Sequence, residues 1–143
     1  DRFIKIVESL SKEQKNLHVV LTGKRRQYVI NELKKREIKF SYFEMANFKI
    51  MNELYNCLDL YIVSSRVEGG PQSIFESSLV KTPIISTDVG VASEILSPES
   101  IFNMNNFYNA KPDIEYAYEN VQKYLLPKGF DEYRKMVGEF IES

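Results

Sequence analysis

The ten residues SSRVEGGPQS, Ser64–Ser73, bring together the types needed to hold a polyhydroxylated anion. Two adjacent glycines, Gly69 and Gly70, let a ligand approach the backbone without meeting a Cβ. Pro71 suits the first turn of a helix. A helix opening there turns the N–H groups of Gln72, Ser73 and Ile74, with the positive end of its dipole, toward the preceding loop. That makes a cradle for phosphate. Glu68 lies just before the glycines and Glu76 about one helical turn after Ser73, so two carboxylates flank the cradle. Carboxylates accept hydrogen bonds from sugar hydroxyls and repel phosphate. By spacing alone Glu68 and Glu76 read as ordinary solvated side chains; it is the flanking glycines that make the segment read as a site for a sugar joined to phosphate.

Such a loop needs a frame, and the chain alternates helical and strand-like segments. Phe3, Ile4, Val7 and Leu10 recur at helical spacing, and the apolar run LHVVLTG (17–23) ends in glycine as a buried parallel strand does. The unit repeats with a helix over 25–37, a strand over 38–43 and a helix over 47–57 that places Phe48, Met51, Leu54 and Leu58 on one face. A strand over 58–65 then leads through the turn at Glu68–Pro71 into a helix over 72–81. A strand at 83–87, a short helix at 91–96 and a short strand near 100–102 follow. The tail carries two helical patterns with no strand between them, Ile114 to Tyr124 and then Phe130, Tyr133, Val137 and Phe140, broken at Pro127 and Gly129. The expectation is one Rossmann-like α/β domain over 1–143, a parallel sheet with helices on both faces, closed by two terminal helices. In such sheets ligands bind beyond the carboxyl ends of the strands, where the Ser64–Ser73 loop falls.

The stretch EGGPQSIFESSLVKTPIISTDVGVASEIL, Glu68–Leu96, resembles the retaining glycosyltransferases of the GT-B group known as family 4, or glycosyltransferase group 1. Glu68 and Glu76 match the family's pair of glutamates with seven residues between them, and Thr82–Gly90 matches its strand and loop, with Glu94 in the expected place. The usual second glycine after Gly90 is Val91, and the glycine after the family's third strand is replaced around Ser41 and Tyr42. More weakly, LTGK resembles the second strand and its glycine loop, and the segment from Ile38 to Ser65 the next strand, helix and strand. The resemblance implies the carboxyl-terminal half of a GT-B fold, with a nucleoside-diphosphate sugar as donor substrate and no other cofactor. It implies that Glu76 holds ribose hydroxyls, that Glu68 contacts the donor sugar as the catalytic residue, and that Gly69, Gly70, Ser73 and Ile74 meet sugar and diphosphate through their backbone. Tyr42, Phe43 and Glu44 would bound the base, with Gly23 and Lys24 lining the cleft. The family's domain begins with a strand and a basic loop, and an amino-terminal domain holds the acceptor; the sequence opens after that loop. The chain is therefore expected to be a donor-binding fragment of a larger two-domain protein, inactive in isolation.

Composition narrows the alternatives. With 43% hydrophobic and 27% charged residues and a formal charge of −1, the chain is an ordinary globular one with no overall attraction to nucleic acid. Charge is uneven: residues 1–50 carry 12 basic and 6 acidic side chains, 51–143 carry 7 and 14. This basic third suits phosphate or anionic lipid, so a peripheral contact with the inner membrane face is carried as an expectation for a cytoplasmic full-length protein. Lys24, Arg25 and Arg26 follow a strand's carboxyl end and are candidates to replace part of the missing basic loop. Lys34, Lys35 and Arg36 read as partners of a helix end, His18 as structural and Cys57 as a buried small hydrophobe. The Tyr and Phe residues at helical spacing read as core. No metal-ligand spacing occurs, and no metal is expected. Two other functions remain open at this point: a GT-B-shaped nucleotide-sugar epimerase, which needs further titratable groups at the sugar, and a non-catalytic interaction module with a vestigial site.

Overall fold

A computed structural model of the chain describes residues 1–142; the side chains of Glu132, Phe140 and Glu142 are outside the described set. The elements are α1 (Arg2–Glu13), β1 (His18–Thr22), α2 (Gln27–Lys35), β2 (Lys39–Phe43), α3 (Phe48–Cys57), β3 (Tyr61–Val63) and α4 (Gln72–Leu79). They continue with β4 (Ile84–Thr87), α5 (Ala92–Ile95), β5 (Ile101–Phe102), α6 (Ile114–Val121) and α7 (Lys128–Glu142). All strand pairs are parallel, so the fold is a Rossmann-like α/β arrangement.

The helices lie on both faces for a reason visible in β4. All four of its residues are buried, and successive side chains leave a strand on opposite sides. Ile84 joins Ile74, Ala92, Ile95, Ala117 and Val121, the side of α4, α5 and α6, whereas Ile85 joins Ile6 of α1 and Phe102. α1 also sends Ile4 and Val7 to a third cluster with Val19, Leu21, Ile30 and Leu33. One helix thus ties the β1–β2 unit to the β3–β4–β5 unit, and Arg36 adds a polar tie from α2 to Glu8 of α1 at 3.2 Å.

The single sheet expected from the sequence is divided. β1 pairs only with β2, and β3 with β4, with β4 then meeting β5. Between the facing edges of β1 and β3 lies a largely apolar cavity of about 720 Å³, lined by Val7 and Leu10 of α1, Val20, Leu54 and Tyr55, and Ile62. β3 is correspondingly short. Its pairing starts at Tyr61, whose N–H is donated to the Pro83 carbonyl, so Leu58–Leu60 lie outside the ladder.

Three side-chain expectations are corrected. Phe48 was expected on the packed face of α3 but is 86% exposed, because it opens the helix at its outer tip beside the equally bare Met45; Tyr55 is the residue that α3 buries instead. Cys57, at the last position of α3 and two residues beyond Tyr55, points off the apolar stripe and is exposed. α6 closes the core through Ala117 and Val121, but α7 leaves Phe130, Tyr133, Met136 and Ile141 exposed, so those aromatics are not core. The break between the two helical stretches falls at Leu125–Pro127, whereas Gly129 lies in the first turn of α7, where a Cβ would stand 2.9 Å from the Tyr124 carbonyl oxygen.

Among the described residues, Ser78 of α4 alone buries a side-chain polar atom with no partner. Ser78→Ala removes a desolvated hydroxyl at almost no change in volume. We expect a gain of up to about 1 kcal/mol, read as a rise in thermal midpoint of about 2–4 °C.

Candidate functional site

α1 fixes which strand ends share an edge. Its first turn lies at the end of β3, where the Arg2 guanidinium donates to the Ser65 carbonyl at 3.2 Å. Its far end is joined to the start of β1, where the Leu17 N–H is donated to the Gln14 carbonyl. β1 therefore runs back along the helix and ends on the same edge as β3. The candidate residues lie on this edge in two groups.

The first group lies at the ends of β1 and β2. Gly23 has φ +83°, which glycine alone adopts freely, and its N–H is donated to the Phe43 carbonyl. The Tyr42 hydroxyl donates to the Gly23 carbonyl at 3.1 Å. Gly23, Tyr42 and Phe43 are thus one unit, with Lys24 and Glu44 exposed on either strand's outlet. Arg26 donates its Nε–H to the Thr22 carbonyl at 2.8 Å, and Lys24, Arg25 and Arg26 are all exposed. The other basic group is structural as expected: Lys35 and Arg36 both reach Glu32 at 2.7 Å, and these partners, Lys35 first, hold the Glu32 carboxyl below its usual range. His18 is likewise structural, its ring nitrogen 2.9 Å from the Ser41 hydroxyl.

The second group is the loop between β3 and α4. Ser65, which sequence reasoning passed over, is its anchor. Its carbonyl accepts from Thr87 at the end of β4 at 2.8 Å as well as from Arg2, and its hydroxyl donates to Glu68 at 2.7 Å. Glu68 is exposed but held by that bond; Glu76 is half-buried and accepts from the Tyr55 hydroxyl at 3.0 Å. Neither glycine is needed by the fold itself. A Cβ at Gly69 or Gly70 would meet nothing within 4 Å, and neither residue has a left-handed φ.

The start of α4 departs from expectation at one donor. Pro71 caps the helix without a side-chain bond, and the Ile74 N–H is donated back to the Pro71 carbonyl at 2.9 Å. Ile74 is also fully buried by its side chain, so it anchors the turn in the core and offers no free N–H. Among the described residues the N–H groups of Gln72 and Ser73 have no protein partner, and they keep the positive end of the helix dipole at the cradle.

Gly90 is the glycine that the geometry does require. Its φ is +53°, and a Cβ would stand 3.0 Å from the backbone of both Gly69 and Gly70. The 88–90 loop thus rests on the cradle's backbone. Gly90→Ala is expected to cost about 1–2 kcal/mol from the left-handed conformation alone, whereas Gly69→Ala leaves the thermal midpoint nearly unchanged; melting both variants checks the contrast. Glu94, beyond that loop, accepts from the Tyr124 hydroxyl, and its carbonyl accepts from Lys123, so it holds the turn before α7.

None of the candidate residues lines the large cavity between the sheets. No helix among the described residues is long and apolar enough to cross a membrane. No curated protein gives a match. The family model described as glycosyl transferases group 1 matches residues 1–141. A polar loop held by Ser65 and Gly90 at the carboxyl edge of parallel strands, with two glutamates beside a helix start, is thus carried by a chain that belongs to the glycosyl transferases group 1 family.

Proposed function

We propose that the chain is the donor-binding half of a retaining glycosyltransferase of GT-B shape, which transfers a hexosyl group from a nucleoside-diphosphate sugar to a saccharide or lipid-linked acceptor. The observation that carries the reading is the cradle: two glycines facing open space beside two unpartnered N–H groups at a helix start, with Glu68 and Glu76 flanking them. Since neither packing nor backbone conformation calls for glycine at 69 or 70, the room they leave is accounted for by a ligand lying against the backbone.

In this reading the diphosphate sits on Gly69, Gly70, Gln72 and Ser73, where backbone donors and the helix dipole offset its charge. Ile74 serves as the buried foot of that turn. Glu76 accepts from the ribose hydroxyls, Glu68 from the donor sugar, and Tyr42, Phe43 and Glu44 border the base with Gly23 and Lys24 beside them. As the glycosidic bond to phosphate lengthens, positive charge develops on the sugar and negative charge on the leaving diphosphate. Fixed donors aimed at that diphosphate stabilise the transition state.

The divided sheet supports the half-protein reading. Gly23 and Tyr61 turn their N–H groups to β2 and to Pro83, so by the alternation of a parallel ladder Val20, Thr22, Leu60 and Ile62 turn theirs toward the cavity. One more parallel strand between β1 and β3 would satisfy both edges. The walls of that slot, from α1 and α3 as well as both strands, suit an apolar strand buried on both faces.

The test is thermal melting with UDP, GDP or ADP. At a ligand concentration 100 times the dissociation constant the expected stabilisation is about 2.7 kcal/mol, a rise of several degrees. An unchanged midpoint with all three nucleotides at millimolar concentration overturns the reading.

A further inference from the structure

Tyr55 contributes its chemistry far from where a sequence motif would put it. It lies on α3, 21 positions before Glu76, is 3% exposed, and donates its hydroxyl to Glu76 Oε2 at 3.0 Å. Its ring and its backbone are held as well. Its ring meets the edge of Tyr61 with centroids 5.4 Å apart, and its backbone carbonyl accepts from the buried Thr82 hydroxyl at 2.8 Å. Burial, then the neighbouring Tyr61 and the bond to Glu76, push its phenol well above the usual range, so it remains a donor at any physiological pH.

Glu76 sits at the fifth position of α4, half-buried. A glutamate side chain left free there samples several rotamers, and fixing one of them on binding costs conformational entropy. The Tyr55 bond takes one oxygen, Oε2, while Oε1 has no protein partner among the described residues. One oxygen is pinned and the other is left to accept.

We infer that Tyr55 is a positioning residue for the nucleotide site: it holds Glu76 in the rotamer that presents Oε1 to a pair of ligand hydroxyls, and so sets selectivity for ribose over deoxyribose nucleotides. The inference rests on the reading of Glu76 as the ribose acceptor. A purely structural role for the pair, in which Glu76 merely satisfies a buried phenol, makes a different prediction, because it moves stability without moving selectivity.

The experiment measures UDP, GDP and ADP and their 2′,3′-dideoxy counterparts by calorimetry, on the wild-type chain, Tyr55→Phe, Glu76→Ala and the double variant. Tyr55→Phe keeps the ring and its contact with Tyr61. It is expected to lose about three- to tenfold in affinity for the ribose nucleotide, the worth of one net hydrogen bond, and to leave the dideoxy nucleotide unchanged. In the Glu76→Ala background the same substitution is expected to have no further effect on binding. Equal loss of both ligands in Tyr55→Phe, or an unchanged ribose preference, overturns the positioning role. If Glu76→Ala itself leaves ribose affinity intact, the underlying site reading fails instead, so the two failures are separable. Should Tyr55→Phe melt below the assay temperature, the measurement is repeated in the Ser78→Ala background with sucrose present, which favours the compact state; the selectivity ratio there decides by the same criteria.

Discussion

Incubated with labelled nucleotide sugars and a saccharide acceptor, residues 1–143 alone are expected to transfer no sugar. The described site offers donors for a diphosphate and acceptors for hydroxyls on one edge of a sheet, namely Gln72, Ser73, Glu68 and Glu76. In the proposed reading the acceptor is held by a second domain facing that edge. Positioning two reactants against each other is worth roughly 7–11 kcal/mol of barrier, by far the largest contribution at stake in this chain. In the full-length protein transfer is expected, and Glu68→Ala should lower turnover more than nucleotide affinity, because its proposed contact is with the reacting sugar. Labelled product from residues 1–143 above a heat-killed control would sink the half-site reading.

How far the sequence carried this reading depends on what kind of information each feature needs. β4 was legible because a parallel strand covered on both faces carries apolar residues at consecutive positions, as Ile84 and Ile85 do, and Ile84–Thr87 is buried at every position. The cradle was legible because Gly69, Gly70 and Pro71 are punctuation whose meaning is local. Facing is another matter. Periodicity grouped Phe48 with Met51 and Leu54, but the end of a helix projects past its neighbours whatever its period, and Phe48 is exposed there. Likewise Phe130 and Tyr133 keep helical spacing on α7 with no core beneath them. Spacing tells which side chains share a face, not what that face meets. The division of the sheet was beyond reach for the same reason, since strand adjacency is set by tertiary packing.

The supporting bonds of the site were the least legible part. Ser65 is one of many serines, and nothing in its neighbours marks it as the residue joining Arg2, Thr87 and Glu68. Those three partners come from α1, the end of β4 and the loop itself. A network with such sequence separations carries no spacing signal. The free donor lost at Ile74 is of this kind too. Whether the first turn of α4 closes onto Pro71 depends on how deeply Ile74 is drawn into the cluster with Val63 and Ile84.

Replacing Glu76 with alanine is expected to weaken binding of UDP, GDP or ADP by about 1.5–3 kcal/mol, the worth of a hydrogen bond to a charged acceptor. In affinity that is roughly 10- to 150-fold. Two consequences of the same substitution have to be kept apart. Removing the carboxylate also strips the Tyr55 hydroxyl of its acceptor in a site where Tyr55 is 3% exposed, and an unsatisfied buried hydroxyl costs about 1–3 kcal/mol of stability. A lower melting point is therefore expected and is no evidence about the ligand. The discriminating quantity is the ratio of affinities for the ribose and 2′,3′-dideoxy nucleotides, measured on folded protein. Loss of Glu76 should bring that ratio close to one, because the dideoxy ligand never made the contact that is removed. Glu76→Gln keeps an acceptor oxygen for Tyr55 but lacks the negative charge, and should fall between wild type and alanine for the ribose ligand while restoring much of the lost stability. If alanine weakened both ligands alike, Glu76 would act through the shape of the cradle and not through the ribose hydroxyls.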